Sequence, residues 1–327
     1  MRLLYTLVIV CFFNSVNAKT WWKHFILHPD SIIQGYDTNY VQPLLNQVTA
    51  RYFLNVKQAR VIISPLGDDK EYSLEAGDFL RYGVGVGYRW LILNYSYGYD
   101  PQKTGPNGTS NIRYDDIQMN IFGKKWLYDV RAQFYRGFTL DNIFRPDIKV
   151  IGLGTSLRYN FNNHRYSFKN TYDQTQWQTK SAGSPIAGIN FAYTRITADS
   201  PVKVGNNSDF RFGLHENYNM YLGAGYSYTF VYKKHWFATY TLTMYVDASI
   251  VGSKQNFTSV NELHFRVIPE SRFGFGYNST KYYVGFSSTI HKLPGRLSDN
   301  LDYTYQYSNL KLLFVHRFNF NPYKKNE

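Results

Sequence analysis

Lys180, Ser181 and Ser184 lie within one five-residue stretch, and a hydroxyl beside a base is the pairing from which an activated nucleophile is built. Such a serine needs its base within hydrogen-bond reach, which spacing along a chain does not supply. A turn of small residues beside inward Gln and Lys side chains accounts for the same stretch without chemistry. His24 and His28 share an i, i+4 spacing, but no cluster of further metal ligands accompanies them. His215-Glu216 reads as loop polarity rather than an acid–base pair. G-x-x-x-x-G-K-[ST], H-E-x-x-H and G-x-S-x-G are absent. Gly83, Gly85 and Gly87 alternate inside a strand-like run, where small inward residues suit a bend or close contact better than a nucleotide loop. These positions assign no catalytic residue, no metal ligand and no cofactor.

The elements that would position such groups are strands. From Trp126, one face carries Trp126, Tyr128, Val130, Ala132 and Phe134, and the other Leu127, Asp129, Arg131, Gln133 and Tyr135. From Trp236, Ala238, Tyr240, Leu242, Met244 and Val246 alternate with Phe237, Thr239, Thr241, Thr243, Tyr245 and Asp247. Runs of this kind exceed the roughly 5–6 residues of a soluble strand. They match the roughly 9–11 tilted residues that cross a bilayer. Strands are expected at 50–63, 76–88, 89–99, 112–122, 125–138, 147–161, 164–174, 182–197, 218–232, 235–250, 261–277, 280–291 and 305–320. A single-chain barrel needs an even number. A further strand near 205–216, where Phe210, Phe212 and Leu214 alternate, tilts the count to fourteen; a false segment around 164–197 makes it twelve.

Composition agrees with strands rather than helical spans. The 327 residues carry a formal net charge of +13, 31 Tyr and 24 Phe, with 19% aromatic residues. Mean hydropathy is −0.40. Helical spans would need about 20 consecutive apolar residues each, whereas a barrel strand shows lipid only alternate residues. Arg2, the apolar run Leu3 to Phe13 and the small residues Val16-Asn17-Ala18 read as a signal peptide over 1–18. The lone cysteine, Cys11, falls inside that run, so the mature chain would hold no disulfide. Residues 19–48 read as a periplasmic N-terminal segment, 49–320 as the barrel and 321–327 as a tail.

In a bilayer the apolar faces meet hydrocarbon, and closure of the sheet leaves no unpaired edge. Tyr88, Trp90, Trp126, Tyr128 and Trp236, toward the ends of runs, suit aromatic girdles. The opposite faces carry Arg81, Arg89, Arg131, Arg158, Arg165, Lys169, Arg266, Arg272 and Arg317, with fewer acids such as Asp129, Asp173 and Asp247. A basic lumen is therefore expected, suited to anionic solutes or lipid head groups. A packed, salt-bridged interior that conducts nothing fits the same residues. Export and scattered arginines argue against nucleic acid as a partner.

The stretch Gln174, Gln178, Lys180, Ser181, Ala182, Gly183 and Ser184 resembles the Q-x-x-x-Q-x-K-S-A-G-S segment of the domain-of-unknown-function family 4421, found mainly in Bacteroidota. Tyr36 to Val41, Phe144 with Arg145, Pro146 and Asp147, and Tyr228 to Phe237 agree in matching order. The resemblance implies an outer-membrane barrel and transfers no activity. The final run, Leu310 to Phe320, resembles the terminal signal read by the barrel assembly machinery.

The expectation is an all-β, closed antiparallel transmembrane β-barrel of 12–14 strands in a bacterial outer membrane, embedded in lipid. It would be structural or weakly conducting, with a basic lumen. A lipid-modifying outer-membrane enzyme and a soluble secreted β-barrel binding protein are the alternatives.

Overall fold

Val, Ile, Tyr, Phe and Thr fill the period-two runs, and β-branched and aromatic side chains fit a pleated surface with a different neighbour on each face. In the computed structural model these runs form β1 (Val41–Gln42), β2 (Gln47–Pro65), β3 (Tyr72–Glu75), β4 (Leu80–Tyr88), β5 (Leu91–Gly98), β6 (Arg113–Phe122), β7 (Trp126–Leu140) and β8 (Ile143–Asn160). They continue as β9 (Trp177–Gln178), β10 (Ala182–Thr197), β11 (His215–Tyr232), β12 (Trp236–Ser253), β13 (Ser259–Val260), β14 (Val267–Asn278), β15 (Tyr282–Ser298) and β16 (Leu301–Asn319). The structure describes residues 35–44, 46–65, 71–76, 80–98, 112–140, 143–170, 176–200, 215–253, 259–260, 267–298 and 301–320.

Twelve strands pair antiparallel in one ring: β2, β4, β5, β6, β7, β8, β10, β11, β12, β14, β15 and β16. The ring closes where β16 runs along β2 from Asn319↔Gln47 to Leu301↔Pro65. Alternation sorts the two faces. On β2, Arg51, Phe53, Asn55 and Lys57 are buried, while Tyr52 between them is 57% exposed. On β4, Arg81 is fully buried and its neighbour Tyr82 is 66% exposed. The outer face is an apolar band that includes Leu54, Val84, Val86, Leu222, Leu242, Met244, Leu310 and Leu312.

The count is twelve, not fourteen. Residues 164–174 were expected to form a strand, but Tyr166, Ser167, Phe168, Lys169 and Asn170 are all buried. A membrane strand must leave alternate residues outside, so a run buried at every position folds inside the barrel instead. The chain therefore stays at one end between β8 and β10, and β10 carries it back across. Residues 205–214 of the other suggested strand, and the expected segment's residues 171–174, lie outside the described residues. His215-Glu216 opens β11 rather than lying in a loop.

Short turns at 89–90, 123–125, 233–235 and 279–281 lie at the end of the barrel that also holds Gln47 and Asn319. This is the turn end; the opposite one is the loop end. At the loop end β3 pairs with β2 (Val61↔Leu74) and with β7 (Leu74↔Leu140). It thereby spans the positions that β4, β5 and β6 leave, and the ring narrows. Inside, Val61, Ile63, Tyr72, Leu74, Ile112, Phe138, Ile148, Val150 and Ile196 form one buried apolar cluster. The bore thus has an apolar layer at the loop end, a charged layer in the middle and a polar floor at the turn end.

Candidate functional site

Opposite charges come together mid-bore because inward positions of separate strands converge there. Asp116 on β6 lies 2.8 Å from Lys57 Nζ and 3.2 Å from Arg81 Nη1. It also accepts hydrogen bonds from Tyr135 Oη (2.7 Å) and Gln133 Nε2 (3.0 Å). The Arg81 guanidinium sits 4.8 Å and 5.1 Å from the ring centres of Tyr114 and Tyr135, within cation–π range. Asp129 on β7 accepts from Arg131 Nε (2.5 Å) and Gln118 Nε2 (2.7 Å).

Glu270 on β14 accepts from Arg158 Nη2 (3.1 Å) on β8 and from Arg272 Nε (2.8 Å), with His291 Nδ1 3.2 Å from its second oxygen. Strands β10, β11 and β12 separate β8 from β14 around the ring, so the Arg158–Glu270 pair crosses the bore. Its side chains are 2% and 3% exposed, and a pair so dry interacts strongly at the cost of desolvating both ions. Two cavities flank this layer. One of about 110 Å³ is lined by Asn55, Lys57, Asp116, Arg131, Arg272 and Lys311 among others. The second, of about 90 Å³, is lined by Asp129, Ser156, Asn190, Glu270 and His291, and shares Arg131, Gln133 and Tyr307 with the first.

The floor is made by the inward-folded segment and the family motif. Gln178 and Gln176 are buried. The Gln178 carboxamide accepts from Ser167 N (3.3 Å) and donates to Lys180 O (3.2 Å). Ser167 Oγ donates to Gln176 Oε1. Asn278 at the end of β14 reaches across to Asn170 Oδ1 (3.0 Å) and Gln176 O (2.9 Å), and accepts from Arg317 Nη2 (2.8 Å). β1 pairs with β9 at Val41↔Gln178 and Gln42↔Trp177, tying the N-terminal segment to the same floor. In its turn Asp37 accepts from Asn39 N (3.0 Å), and that bond, with Arg165 and Lys180 nearby, holds its carboxyl below the usual carboxylate range.

The motif serines are held by backbone. Ser184 Oγ is buried, accepts from Asn162 N (2.9 Å) and donates to Pro185 O (2.6 Å). Ser181 Oγ accepts from Val231 N (2.8 Å). Lys180 Nζ lies 5.5 Å above the Tyr40 ring, on the exposed side. Ala182 and Gly183 open β10, and Gly183 O accepts from Asn162 Nδ2 (2.8 Å). At the loop end, Arg145 makes a two-pronged bond to Asp147 (2.8 Å each), which also accepts from Ser200 N (3.1 Å). Pro146 O accepts from Arg136 Nε (3.2 Å). That segment clamps the start of β8 to the chain leaving β10.

Arg81, Arg131, Arg158 and Arg272 thus meet in the mid-bore layer, and Arg317 lies inside at the floor. Lys169 is inside too, but on the folded-in segment, with Nζ 3.4 Å from Arg89 O. Arg89 and Arg165 are corrections: both sit in turns, where the alternation that assigned them to an inner face has ended. Arg266 and Gln174 lie outside the described residues, as do Asp173 and the Asp247 side chain. Sequence reasoning passed over Arg51, Lys57, Asp116, Glu270, Asn278 and Lys311. Parity was the signal for Lys57 and Lys311, which alternate with outward Val56 and with Leu310 and Leu312.

The turns that join neighbouring barrel strands at the turn end, with the motif turn, carry cations: Arg89, Lys124 and Lys125, Arg165, Lys180, Lys233 and Lys234, and Lys281; the one carboxylate beside them among the described residues is Asp37, in the N-terminal turn. Several cations lie over rings, Arg89 on Tyr88 (5.1 Å), Lys125 on Tyr159 (5.7 Å) and Lys233 on Tyr232 (5.3 Å). Lys233 and Lys234 both have left-handed backbones, φ 48° and 64°. Non-glycine residues pay roughly 1–2 kcal/mol each for that conformation.

Among solved structures the fold is similar to the outer-membrane protease OmpT of Escherichia coli, at 8% identity and a TM-score of 0.39, covering 86% of this chain and all of that one. It is also similar to the Pseudomonas putida toluene transporter TodX, at 7% identity and a TM-score of 0.32, covering 84% of this chain and 91% of that one. At these scores the likeness adds nothing to the strand pairing itself. No curated protein matches the sequence. The family model described as "Domain of unknown function (DUF4421)" matches residues 35–318, and the chain belongs to that family.

Proposed function

We propose that this protein is an integral outer-membrane β-barrel that acts as a sealed scaffold rather than an open pore. The observation that carries the reading is the Arg158–Glu270 pair across the bore. An aqueous channel would need that line of sight clear. The apolar cluster at the loop end and the hydrogen-bonded floor at the turn end support it from either side. The apolar outer band and the closed ring favour a bilayer over a soluble location, because closure satisfies every strand edge without water.

In this reading the turn end faces the periplasm, as short turns do in such barrels. Its ring of lysines and arginines, laid on aromatic rings, sits at the head-group level, where amphipathic cations favour anionic lipid. β16, which closes the ring on β2, is the strand offered to the barrel assembly machinery. The motif serines, engaged by backbone, favour the scaffold reading over a lipid-modifying enzyme. Planar-bilayer recording of refolded protein tests the proposal. A flat trace across applied voltages is expected; reproducible unitary steps from the wild type would overturn it.

A further inference from the structure

We infer that the mid-bore cavity of about 110 Å³ is a binding site for one small inorganic oxyanion of the phosphate or sulfate class. Lys57, Arg131, Arg272 and Lys311 border it, and Asp116 is the single carboxylate among its described lining residues. Asp116 is already matched by two cations, Lys57 and Arg81, Asp129 by Arg131, and Glu270 beyond them by Arg158 and Arg272. Among the described residues the layer thus sets six cations, those five with Lys311, against three carboxylates, inside a wall whose other side is apolar. Excess charge in such surroundings is costly, and a bound anion removes the cost directly.

The donors are arranged to receive one. On one row Lys311 stands between Ser287 on β15 and Asn55 on β2, its ladder partners on either side. On another, Arg272 stands between Thr241 and Thr289. Asn55 is 1% exposed, lines the cavity, and neither atom of its carboxamide meets a hydrogen-bond partner within the protein. A buried amide left without protein partners is expected to meet something else. The volume equals about three or four waters at ~30 Å³ each, room for a tetrahedral oxyanion held by charge-assisted bonds.

This site goes beyond the sealed-scaffold reading and does not depend on it, since a conducting barrel would present the same donors. The test is equilibrium dialysis of refolded protein in phosphate-free detergent against radiolabelled inorganic phosphate. Arms add sulfate or a short-chain phosphatidylglycerol as competitor, and fold is checked by heat-modifiable gel migration. One phosphate per barrel, displaced by sulfate and not by the lipid, is expected. Lys311→Gln should weaken binding by about tenfold or more, Asn55→Asp should abolish it by placing a carboxylate where the anion sits, and Lys125→Gln at the turn end should leave it unchanged. Absence of saturable binding by the wild type, wild-type affinity in folded Lys311→Gln or Asn55→Asp, or displacement by the lipid alone would overturn the assignment.

Discussion

Glu270→Gln removes the one charge that two arginines share. Arg158 and Arg272 both bond Glu270 Oε1, at 3.1 Å and 2.8 Å, and Arg158 is almost wholly dry. Deleting one member of a buried ion pair costs about 3–5 kcal/mol, mostly because the remaining charge stays buried without its partner. Glu270→Gln belongs at the upper part of that range. Arg158→Gln is milder, about 1–3 kcal/mol, because Glu270 keeps Arg272 and His291 within reach. The double variant should cost less than the sum of the two, since each single change already breaks the same bond. Urea titration of refolded protein in lipid vesicles, followed by tryptophan fluorescence, gives the three values. A loss under about 1 kcal/mol for Glu270→Gln, or an Arg158→Gln loss as large as the Glu270→Gln loss, would refute the reasoning.

Three further outcomes follow from the geometry. Gly83→Ala should cost about 1–3 kcal/mol, because a Cβ there would lie 2.0 Å from the buried Phe53 ring, and the same urea titration reads it. Asn278→Ala removes the side chain that ties β14 to Asn170, Gln176 and Arg317, so the floor should loosen, read as faster hydrogen exchange at Gln178 N, which bonds Asn170 Oδ1, while the bilayer trace stays flat because the mid-bore pair and the loop-end cluster remain. Asp37, whose carboxyl is held below its unfolded value, lends support to the N-terminal turn above about pH 4 and withdraws it as pH falls through the folded value. Acidification should therefore lower the hydrogen-exchange protection factors, measured against the intrinsic rate at each pH, at Asn39 and Tyr40, whereas Asp37→Asn should show lowered protection already at neutral pH with little further change.

The strands were legible because each shows two different solvents to its two faces. β10 was read from sequence with the bounds it has, 182–197, and β12 began within one residue of its expected start. The same rule misled at 164–174, where Tyr166 and Phe168 alternate with Ser167 and Lys169 but both sets are buried. Alternation records a difference between residues and is silent on whether both faces are enclosed. Arg89 and Arg165 were placed on an inner face for a related reason, since parity loses its meaning once the ladder ends. Asp115 and Asp116 hid the central carboxylate, because two adjacent acids give no parity signal. The cross-bore pair joins residues 112 apart, and the floor joins Asn278 to Gln176 over 102 positions. Only closure of the ring makes those neighbours. The family motif was visible as a string, but its work, holding the floor through Gln178, Ser181 and Ser184, depends on backbone groups that the string does not name.

The claim beneath all of this is that outward residues touch hydrocarbon and their immediate neighbours do not. Single cysteines at Leu242 and Thr241, in a Cys11→Ser background, would carry a nitroxide spin label in refolded, lipid-embedded protein. Collision rates with dissolved oxygen and with a water-soluble nickel complex then report the surroundings of each. The account predicts high oxygen and low nickel contact at 242, with little contact of either kind at 241. Strong nickel contact at 242, or oxygen contact at 241 equal to that at 242, would contradict it.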